Sequence, residues 1–231
     1  RRALREDLKI LVMSATLDGG PVADLLDGAA VISSQGRAFP VEERYCGDAR
    51  DHSVTARTAS VVQRALRETE GDILVFLPGA GEIRAVRDAL APTLSGDISL
   101  HPLYGDLPFG EQERAILPAA TRKIVLATNI AETSLTIEGV RIVIDCGLTR
   151  RLQHDPASGM NRLVTVMVSQ ASAKQRQGRA GRLGPGVCYR LYSPHTFQSL
   201  VAFAPPEIVT SDLSSLVLDL AAWGVKDPAM L

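Results

Sequence analysis

Two arginines stand three residues apart in the stretch KQRQGRAGRLGPG, which spans residues 174–186. Glycines surround Arg179 and Arg182, so the backbone could approach a ligand closely. Arginine carries a permanent charge and a planar set of donors that matches phosphate oxygens. The spacing therefore indicates a device for binding phosphate. Yet no G-x-x-x-x-G-K-[ST] run, the loop that cradles nucleotide phosphates, occurs in the 231 residues.

A second polar stretch, ATNIAETSLTIEG at residues 127–139, follows directly after an apolar run. Its hydroxyl and amide side chains could hold the sugar–phosphate backbone of a nucleic acid without reading the bases. A third pattern, SAT at residues 14–16, closes an earlier apolar run. So short a pattern also fits a simple helix cap, and alone it predicts no function.

Other chemistries find little support in the sequence. The stretch GAGEIR at residues 79–84 fails as a dinucleotide loop, because Arg84 replaces its last glycine. No G-x-S-x-G elbow is present, and the four histidines stand alone. The three cysteines are widely spaced and form no C-x-x-C pair, so we expect free thiols in a reducing compartment, the cytoplasm, and no metal site.

Composition is that of a water-soluble globular domain, with 45% apolar and 22% charged residues. No apolar run approaches the roughly 18 to 20 residues that a membrane span requires, and the amino terminus is not a convincing signal peptide. The net charge is only −1, but residues 141–190 hold nine lysines and arginines against two aspartates. This asymmetry indicates a basic face for a polyanion, although a solvated basic surface would look the same.

Apolar runs alternate with segments of helical period along most of the chain. Strands are predicted at LKILVM (8–13), VEERY (41–45), DILVFLP (72–78), ISLHPL (98–103), KIVLAT (123–128) and VRIVID (140–145). Helices are predicted at 53–71, after residue 79 with Ile83, Val86, Leu90 and Leu94 on one face, and at 109–117. This alternation predicts an α/β fold with a parallel, doubly wound sheet.

Two segments interrupt the alternation. Residues 147–168 form two arms around DPASG, whose residue types suit a turn, and we expect a β-hairpin that projects from the sheet. Near the end, DLSSLVLDLAAWG places its leucines at helical spacing and predicts a further helix. This helix follows PPE and is interpreted as the start of another module.

Taken together and in this order, SAT, ATNIAETSLTIEG and QRQGRAGR resemble motifs III, V and VI of superfamily 2 helicases of the DEAH/RHA type, most closely the bacterial HrpB-type helicases. The resemblance runs along nearly the whole chain. It includes ILVFLPGAGEI as motif IV, GRAFPVEERY, LYGDLPFGEQERAIL and the terminal PPEIVTSDLSSLVLDLAAWGVKDP.

The resemblance implies a nucleotide held between two RecA-like lobes, of which the first supplies the phosphate loop. It implies the end of the first lobe at residues 1–35, the second RecA-like lobe at 36–204 and the start of a winged-helix domain at 205–231. ATP would be the nucleotide, with Mg²⁺ held mainly by the missing first lobe. The intact enzyme would be an ATP-dependent helicase, and this fragment alone would be inactive.

For the nucleotide site, the resemblance implies that Arg179 and Arg182 act as arginine fingers at the γ-phosphate and that Gln175 places water or phosphate. Nucleotide-binding roles fall to Gly178, Glu138 at the ribose, and Leu117. Many relatives have a phenylalanine stacked on adenine where this chain has Leu117, so we expect weak base discrimination. Lys174 and Arg176 are assigned no role and could be solvated.

For single-stranded RNA or DNA, the resemblance implies backbone contacts from the second polar stretch and phosphate contacts from the hairpin. These residues are Thr128, Asn129, Ser134 and Thr136 in the stretch, and Arg150, Arg151 and Arg162 in the hairpin. The hairpin is also expected to help part strands. Ser14 and Thr16 are expected to couple the two lobes.

Two alternatives stay open at this point. The first is a non-catalytic RecA-like module that keeps these motifs only to bind nucleic acid or a protein partner. The second is another superfamily 2 motor, such as a DEAD-box or viral type, although such relatives usually lack both TNIAETSLTI and the hairpin. The expected partners are single-stranded nucleic acid and the rest of the same helicase chain, with no membrane.

Overall fold

The computed structural model describes residues 9–13, 19–33, 39–48, 53–133, 135–155, 157–225 and 227. The chain divides into two units, Arg1–Arg37 and Ala38–Leu231. The described residues of the first unit form one short helix, α1 (Gly19–Leu25). The predicted strand at residues 8–13 is wrong for its described part: residues 9–13 form no strand, and Leu11 is 80% exposed. No described segment pairs with this backbone, and an apolar run forms a strand only beside a partner.

The second unit is built on a six-stranded parallel sheet and a separate two-stranded hairpin. In chain order the strands are β1 (Val41–Tyr45), β2 (Asp72–Phe76), β3 (Ile98–Leu103), β4 (Arg122–Ala127), β5 (Val140–Asp145), β6 (Leu148–Asp155), β7 (Met160–Met167) and β8 (Gly186–Arg190). The order across the large sheet is β1-β8-β5-β2-β4-β3. The predicted parallel sheet is confirmed.

Helices connect the strands, as parallel neighbours require. They are α2 (Val54–Glu68), α3 (Ala80–Leu90), α4 (Phe109–Ile116), α5 (Ile130–Thr133), α6 (Gln170–Gly178), α7 (Pro194–Ser199) and α8 (Ser214–Ala222). Two 3₁₀ turns lie at Ala91–Thr93 and Glu207–Val209. None of the described helices is long and apolar enough to cross a membrane.

Serine hydroxyls begin several of these helices. The Ser53 hydroxyl accepts a hydrogen bond from the Ala56 amide at 3.2 Å and caps α2. The Ser169 hydroxyl accepts one from the Ser172 amide at 3.1 Å and caps α6, the helix that leads to the two spaced arginines. Such caps satisfy amides that have no partner in the first turn. They fix where α6 begins and therefore where its arginines emerge.

The sheet has an apolar core on each face. In β2, Ile73 and Val75 pack with α2 and α3, whereas Leu74 and Phe76 face the opposite side and pack near Ala131 and Ala180. This alternation of fully buried residues on both faces is typical of a central parallel strand. It explains why DILVF is an unbroken apolar run after its first residue.

Strands β6 and β7 form the predicted hairpin, with Leu148 opposite Met167 and Asp155 opposite Met160. Its base is closed by the Val168 amide, which donates to the Gly147 carbonyl at 2.9 Å. The hairpin starts where β5 ends and returns to the start of α6. It therefore leaves the sheet at the edge where the parallel strands end, called the carboxyl edge here. The edge where they begin is the amino edge.

Candidate functional site

The loop 179–185 joins α6 to the beginning of β8, so it places both spaced arginines at the amino edge of the sheet. Glycine is required in this loop because the backbones approach closely. A Cβ atom on Gly181 would lie 2.6 Å from the Phe39 carbonyl oxygen, and one on Gly186 would lie 2.4 Å from the Ala180 oxygen. Gly178 is different, because a Cβ there would meet no atom within 4 Å.

Arg179 is only 7% exposed, and its guanidinium is held by backbone carbonyls of the second polar stretch. Nε donates to the Glu132 carbonyl at 2.9 Å and Nη1 donates to the Leu135 carbonyl at 2.5 Å, while Nη2 also contacts the Glu132 carbonyl. Desolvation and the charge of Arg182 lower the pKa of Arg179 to about 10, against the opposing effect of Glu132. Arg179 therefore stays charged at neutral pH.

Arg182 is exposed, and its Nη1 donates to the Thr136 hydroxyl at 2.6 Å. The two arginines line one small crevice with Leu135 and Ile137. No ion pair among the described residues neutralises either guanidinium. Arg182 is accessible with Arg179 buried beside it, so an anion bound at Arg182 would stabilise both charges.

Other residues predicted for the nucleotide also lie at the amino edge. Glu138 is exposed just before β5, and Leu117 is 52% exposed at the end of α4, before β4. The Leu117 carbonyl points inward, where it accepts a hydrogen bond from Nζ of buried Lys123 at 2.7 Å. Gln175 lies half-buried in α6. The fold therefore places Glu138, Leu117 and the arginine loop at the same edge of the sheet.

Residues predicted for nucleic acid divide between the two edges. Thr128 and Asn129 follow the end of β4 at the carboxyl edge, where the Thr128 amide donates to the Leu103 carbonyl at 3.1 Å. Thr136 lies near the start of β5 and contacts Arg182 instead. Ser134, Ser14 and Thr16 lie outside the described residues.

The hairpin arginines differ in their surroundings. Nη2 of Arg150 lies 3.1 and 3.2 Å from the two carboxylate oxygens of Glu82, in the first turn of α3. Arg151 is half-buried, and its side chain makes no hydrogen bond or ion pair with the described part of the chain. Arg162 is highly exposed and lies 3.6 Å from Asp155. Phosphate could therefore reach Arg151 without displacing a carboxylate, whereas it must compete with Glu82 for Arg150 and with Asp155 for Arg162.

Arg176 corrects the expectation of a solvated side chain, because it is 1% exposed. Its guanidinium lies 2.8 Å from a carboxylate oxygen of Asp145 and 3.1 Å from one of Glu132. Asp145 is itself fully buried at the end of VRIVID. A carboxylate that closes an apolar strand indicates that a polar partner is buried beside it, but the sequence does not show which residue supplies that partner. Lys174 is exposed, as expected.

The described ranges contain no group of three acidic, histidine or cysteine side chains that could hold a metal ion. The described cysteines Cys46, Cys146 and Cys188 are free thiols, and burial is the main reason why their pKa values are raised.

A parallel sheet covered by helices on both faces, with paired arginines before its last strand, defines a RecA-like α/β lobe. Residues 57–184 match the family model of the helicase conserved C-terminal domain, and the chain belongs to that family. It is the second lobe of a helicase of the DEAH/RHA type, which confirms the resemblance found in the sequence.

Relatives cover the whole chain. It is 48% identical over 233 residues to the ATP-dependent RNA helicase HrpB of Escherichia coli, covering 100% of this chain and 29% of the relative. Over 230 residues it is 40% identical to the ATP-dependent RNA helicase HrpA of the same organism, covering 97% and 18%. A crystal structure of the Escherichia coli DEAH/RHA helicase HrpB matches with a TM-score of 0.93 and 48% identity, covering 99% of this chain and 29% of that one. The chain thus spans less than a third of these relatives.

Proposed function

We propose that this lobe supplies Arg179 and Arg182 to an NTP bound by a preceding lobe, and that the intact protein is an ATP-dependent helicase. The observation that carries the proposal is the unneutralised pair of guanidiniums at the amino edge. Burial, followed by the charge of Arg182, lowers the pKa of Arg179, and an anion beside the two cations would offset both effects. The γ-phosphate of a nucleotide is the anion that this geometry suits best.

The expected chemistry is stabilisation of charge during phosphoryl transfer. The transition state spreads negative charge over phosphate oxygens, and a positioned arginine is worth about 10³ to 10⁵ in rate. Gln175 on α6 is suited to place the attacking water, and Glu138 to accept the ribose hydroxyls. Mg²⁺ would be held mainly by the first lobe, as the resemblance implies.

Nucleic acid would lie along the carboxyl edge and the hairpin. Thr128 and Asn129 offer hydroxyl and amide groups there, and Ser134 belongs to the same stretch. Arg150, Arg151 and Arg162 would contact phosphates, which makes binding salt-dependent and blind to sequence. The relatives are named RNA helicases, which favours single-stranded RNA over DNA as substrate.

The motor would work by closing two lobes on the nucleotide and reopening them after hydrolysis. Residues 1–35, with Ser14 and Thr16, would belong to the first lobe, and residues 205–231 would begin a winged-helix domain. The fragment alone would not hydrolyse NTP, because half of the site is missing. Free thiols fit the cytoplasm as the location of the enzyme.

Nucleic-acid-stimulated NTP hydrolysis tests this proposal. Four proteins are compared: this chain, a wild-type version extended through the first lobe, and the extended version with either Arg179→Ala or Arg182→Ala. Only the extended wild-type form should be active, and either substitution should lower its rate by about a thousandfold. Arg87→Ala, a change at an exposed arginine paired with Asp88, is the matched control and should have no effect. An extended form that is inert with every nucleic acid and NTP would instead support a non-catalytic binding module.

A further inference from the structure

The guanidinium of Arg176 lies among four different elements of the lobe. It belongs to α6, pairs with Asp145 at the end of β5, and pairs with Glu132 in α5. Nη1 also donates to the Leu148 carbonyl at 3.2 Å, where the hairpin begins. The guanidinium stacks 4.8 Å from the centre of the Phe76 ring at the end of β2. The side chain of one α6 residue therefore contacts both the 128–138 stretch, at Glu132, and the start of the hairpin, at Leu148.

The ion pairs around Arg176 are well satisfied. Asp145 also accepts hydrogen bonds from the Tyr192 hydroxyl at 3.0 Å and from the Gly147 amide at 3.0 Å. Burial would lower the pKa of Arg176, but the charges of Asp145 and Glu132 outweigh it and raise the pKa above its ordinary value. A buried charge with this many partners holds one geometry, because each lost partner would leave a charge unpaired.

Glu132 contacts both arginines of this region through different atoms. Its carboxylate pairs with Arg176, while its backbone carbonyl accepts hydrogen bonds from Arg179. Glu132 also lies three residues after Asn129, whose carbonyl accepts a hydrogen bond from the Glu132 amide at 2.9 Å. A displacement of the Thr128–Asn129 segment would therefore pull on Arg176 and Arg179 together.

We propose that Arg176 is a positioning residue that transmits nucleic-acid binding to the catalytic arginines. Binding at the carboxyl edge or on the hairpin moves Glu132 or Leu148, and both movements reach α6 through the Arg176 guanidinium. Arg179 lies one helical turn further on, so a shift of α6 alters its approach to the nucleotide. This inference rests on the proposed function, and it assigns the stimulation of hydrolysis by nucleic acid to a single buried contact.

Arg190 provides a contrast within the same lobe. It is also fully buried, and it also holds α6, since its Nη2 donates to the Gln177 side chain at 2.7 Å. Its other side-chain partners are Glu43 and Tyr45 in β1 and the ring of Phe197 in α7. None of the described contacts of Arg190 reaches the hairpin or the 128–138 stretch. A substitution of Glu43 therefore weakens the contacts that Arg190 makes around α6, but it leaves the Arg176 contacts with Glu132 and Leu148 in place.

The experiment uses the complete helicase and measures kcat and KM for ATP hydrolysis without and with saturating single-stranded oligouridylate. Glu132→Gln removes the charge that pairs with Arg176 but keeps the side-chain size, and Arg176→Lys keeps the charge but loses the planar donors. We expect both to reduce the stimulated-to-unstimulated ratio of kcat by about fivefold or more, the scale of allosteric coupling. The unstimulated kcat and the KM for ATP should stay within about twofold of the wild-type values, because the ATP-binding site itself is unchanged.

Glu43→Gln is the matched control and should leave the ratio unchanged. If Arg176→Lys does not fold, Glu132→Gln decides alone, since that side chain is partly accessible. An unchanged ratio, or an equal fall of stimulated and unstimulated rates, would overturn the inference and leave the proposed function standing. A wild-type enzyme without hydrolysis or without stimulation would overturn both.

Discussion

Arg182 donates a 2.6 Å hydrogen bond to the hydroxyl of Thr136, although the sequence assigned these two residues to different ligands. Thr136 lies between the proposed nucleic-acid contacts and β5, and the hydrogen bond turns its hydroxyl towards the arginine loop. The relationship shows that the 128–138 stretch serves both edges of the sheet. Its first residues lie at the carboxyl edge and its last residues lie at the amino edge.

Thr136→Val in the extended helicase should therefore impair hydrolysis and spare nucleic-acid binding. Losing one hydrogen bond to a charged group costs roughly 1.5 to 3 kcal/mol, so kcat should fall by about tenfold or more. Thr136→Ser keeps the hydroxyl and should retain most of the rate. Fluorescence anisotropy with a labelled RNA gives the second readout. A large loss of RNA affinity with unchanged kcat would return Thr136 to the nucleic-acid contacts.

Glu82→Gln should strengthen binding of single-stranded nucleic acid. Glu82 competes with phosphate for Arg150, and its removal frees that arginine for one more phosphate contact. We expect affinity to rise about two- to fivefold, because exposed ion pairs are worth less than about 1 kcal/mol. The slope of log K against log salt should steepen by up to about 0.7, the value for one contact on a single strand.

The matched control for that prediction is Asp88→Asn, which removes a carboxylate paired with Arg87 on the same helix. This substitution removes the same charge as Glu82→Gln, but the Asp88 side chain is paired with Arg87 and not with the hairpin. Equal gains from Asp88→Asn and Glu82→Gln would mean that the effect is one of net charge. Weaker binding by Glu82→Gln would mean that the ion pair holds the hairpin in its binding position.

Leu117 predicts broad use of nucleotides. Its side chain offers no aromatic face on which a base could stack. We expect kcat/KM values for ATP, GTP, CTP and UTP within about fivefold of one another. Leu117→Phe should raise the ATP-to-UTP ratio by about fivefold or more, since stacking on an aromatic side chain is worth roughly 1 to 3 kcal/mol. Leu117→Met is the non-aromatic control, and strict ATP preference in the wild type would refute the prediction.

His101 should make the lobe less stable in mild acid. Burial, followed by the charges of Lys123 and Arg114, lowers the pKa of His101 below its ordinary value of 6.5. The unfolded chain then binds a proton before the folded one, so stability is complete above about pH 6.5 and falls as the pH drops through the lower folded value. Nε2 is buried without a hydrogen-bond partner among the described residues, which agrees with a neutral ring.

Urea unfolding of this chain between pH 7.5 and 5 measures that dependence. His101→Gln should reduce the slope of the unfolding free energy against pH by the contribution of one proton. His195→Gln, a change at an exposed histidine, is the control and should leave that slope unchanged. An identical slope for wild type and His101→Gln would show that the ring binds a proton as readily in the folded protein as in the unfolded chain.

Local patterns in the sequence predicted most of the second unit. The runs DILVF, KIVLA and VRIVID became central strands because residues buried on both faces must all be apolar. The hairpin followed from turn residues between two arms. The run KILVM misled, because an apolar period alone does not provide the neighbouring strand that its backbone needs.

Partners distant in sequence account for what could not be predicted. Arg176 is separated from Asp145 by 31 positions and from Glu132 by 44, and no local pattern encodes such pairs. The same holds for Arg150 and Glu82, which lie 68 positions apart. Sequence identified the arginines as a group, whereas the fold decided which one is buried, which one is held by carbonyls and which one is exposed.

Binding of a transition-state analogue tests the central claim most directly. Equilibrium binding of ADP alone and of ADP with aluminium fluoride would be measured for the extended helicase, its Arg182→Ala variant and the Arg87→Ala control. Arg182→Ala should bind ADP with an affinity within about threefold of that of the wild type. Its affinity for the analogue complex should fall by about a hundredfold or more, because the arginine acts on charge that develops only in the transition state. Equal affinities of wild type and Arg182→Ala for the analogue complex would contradict the central claim.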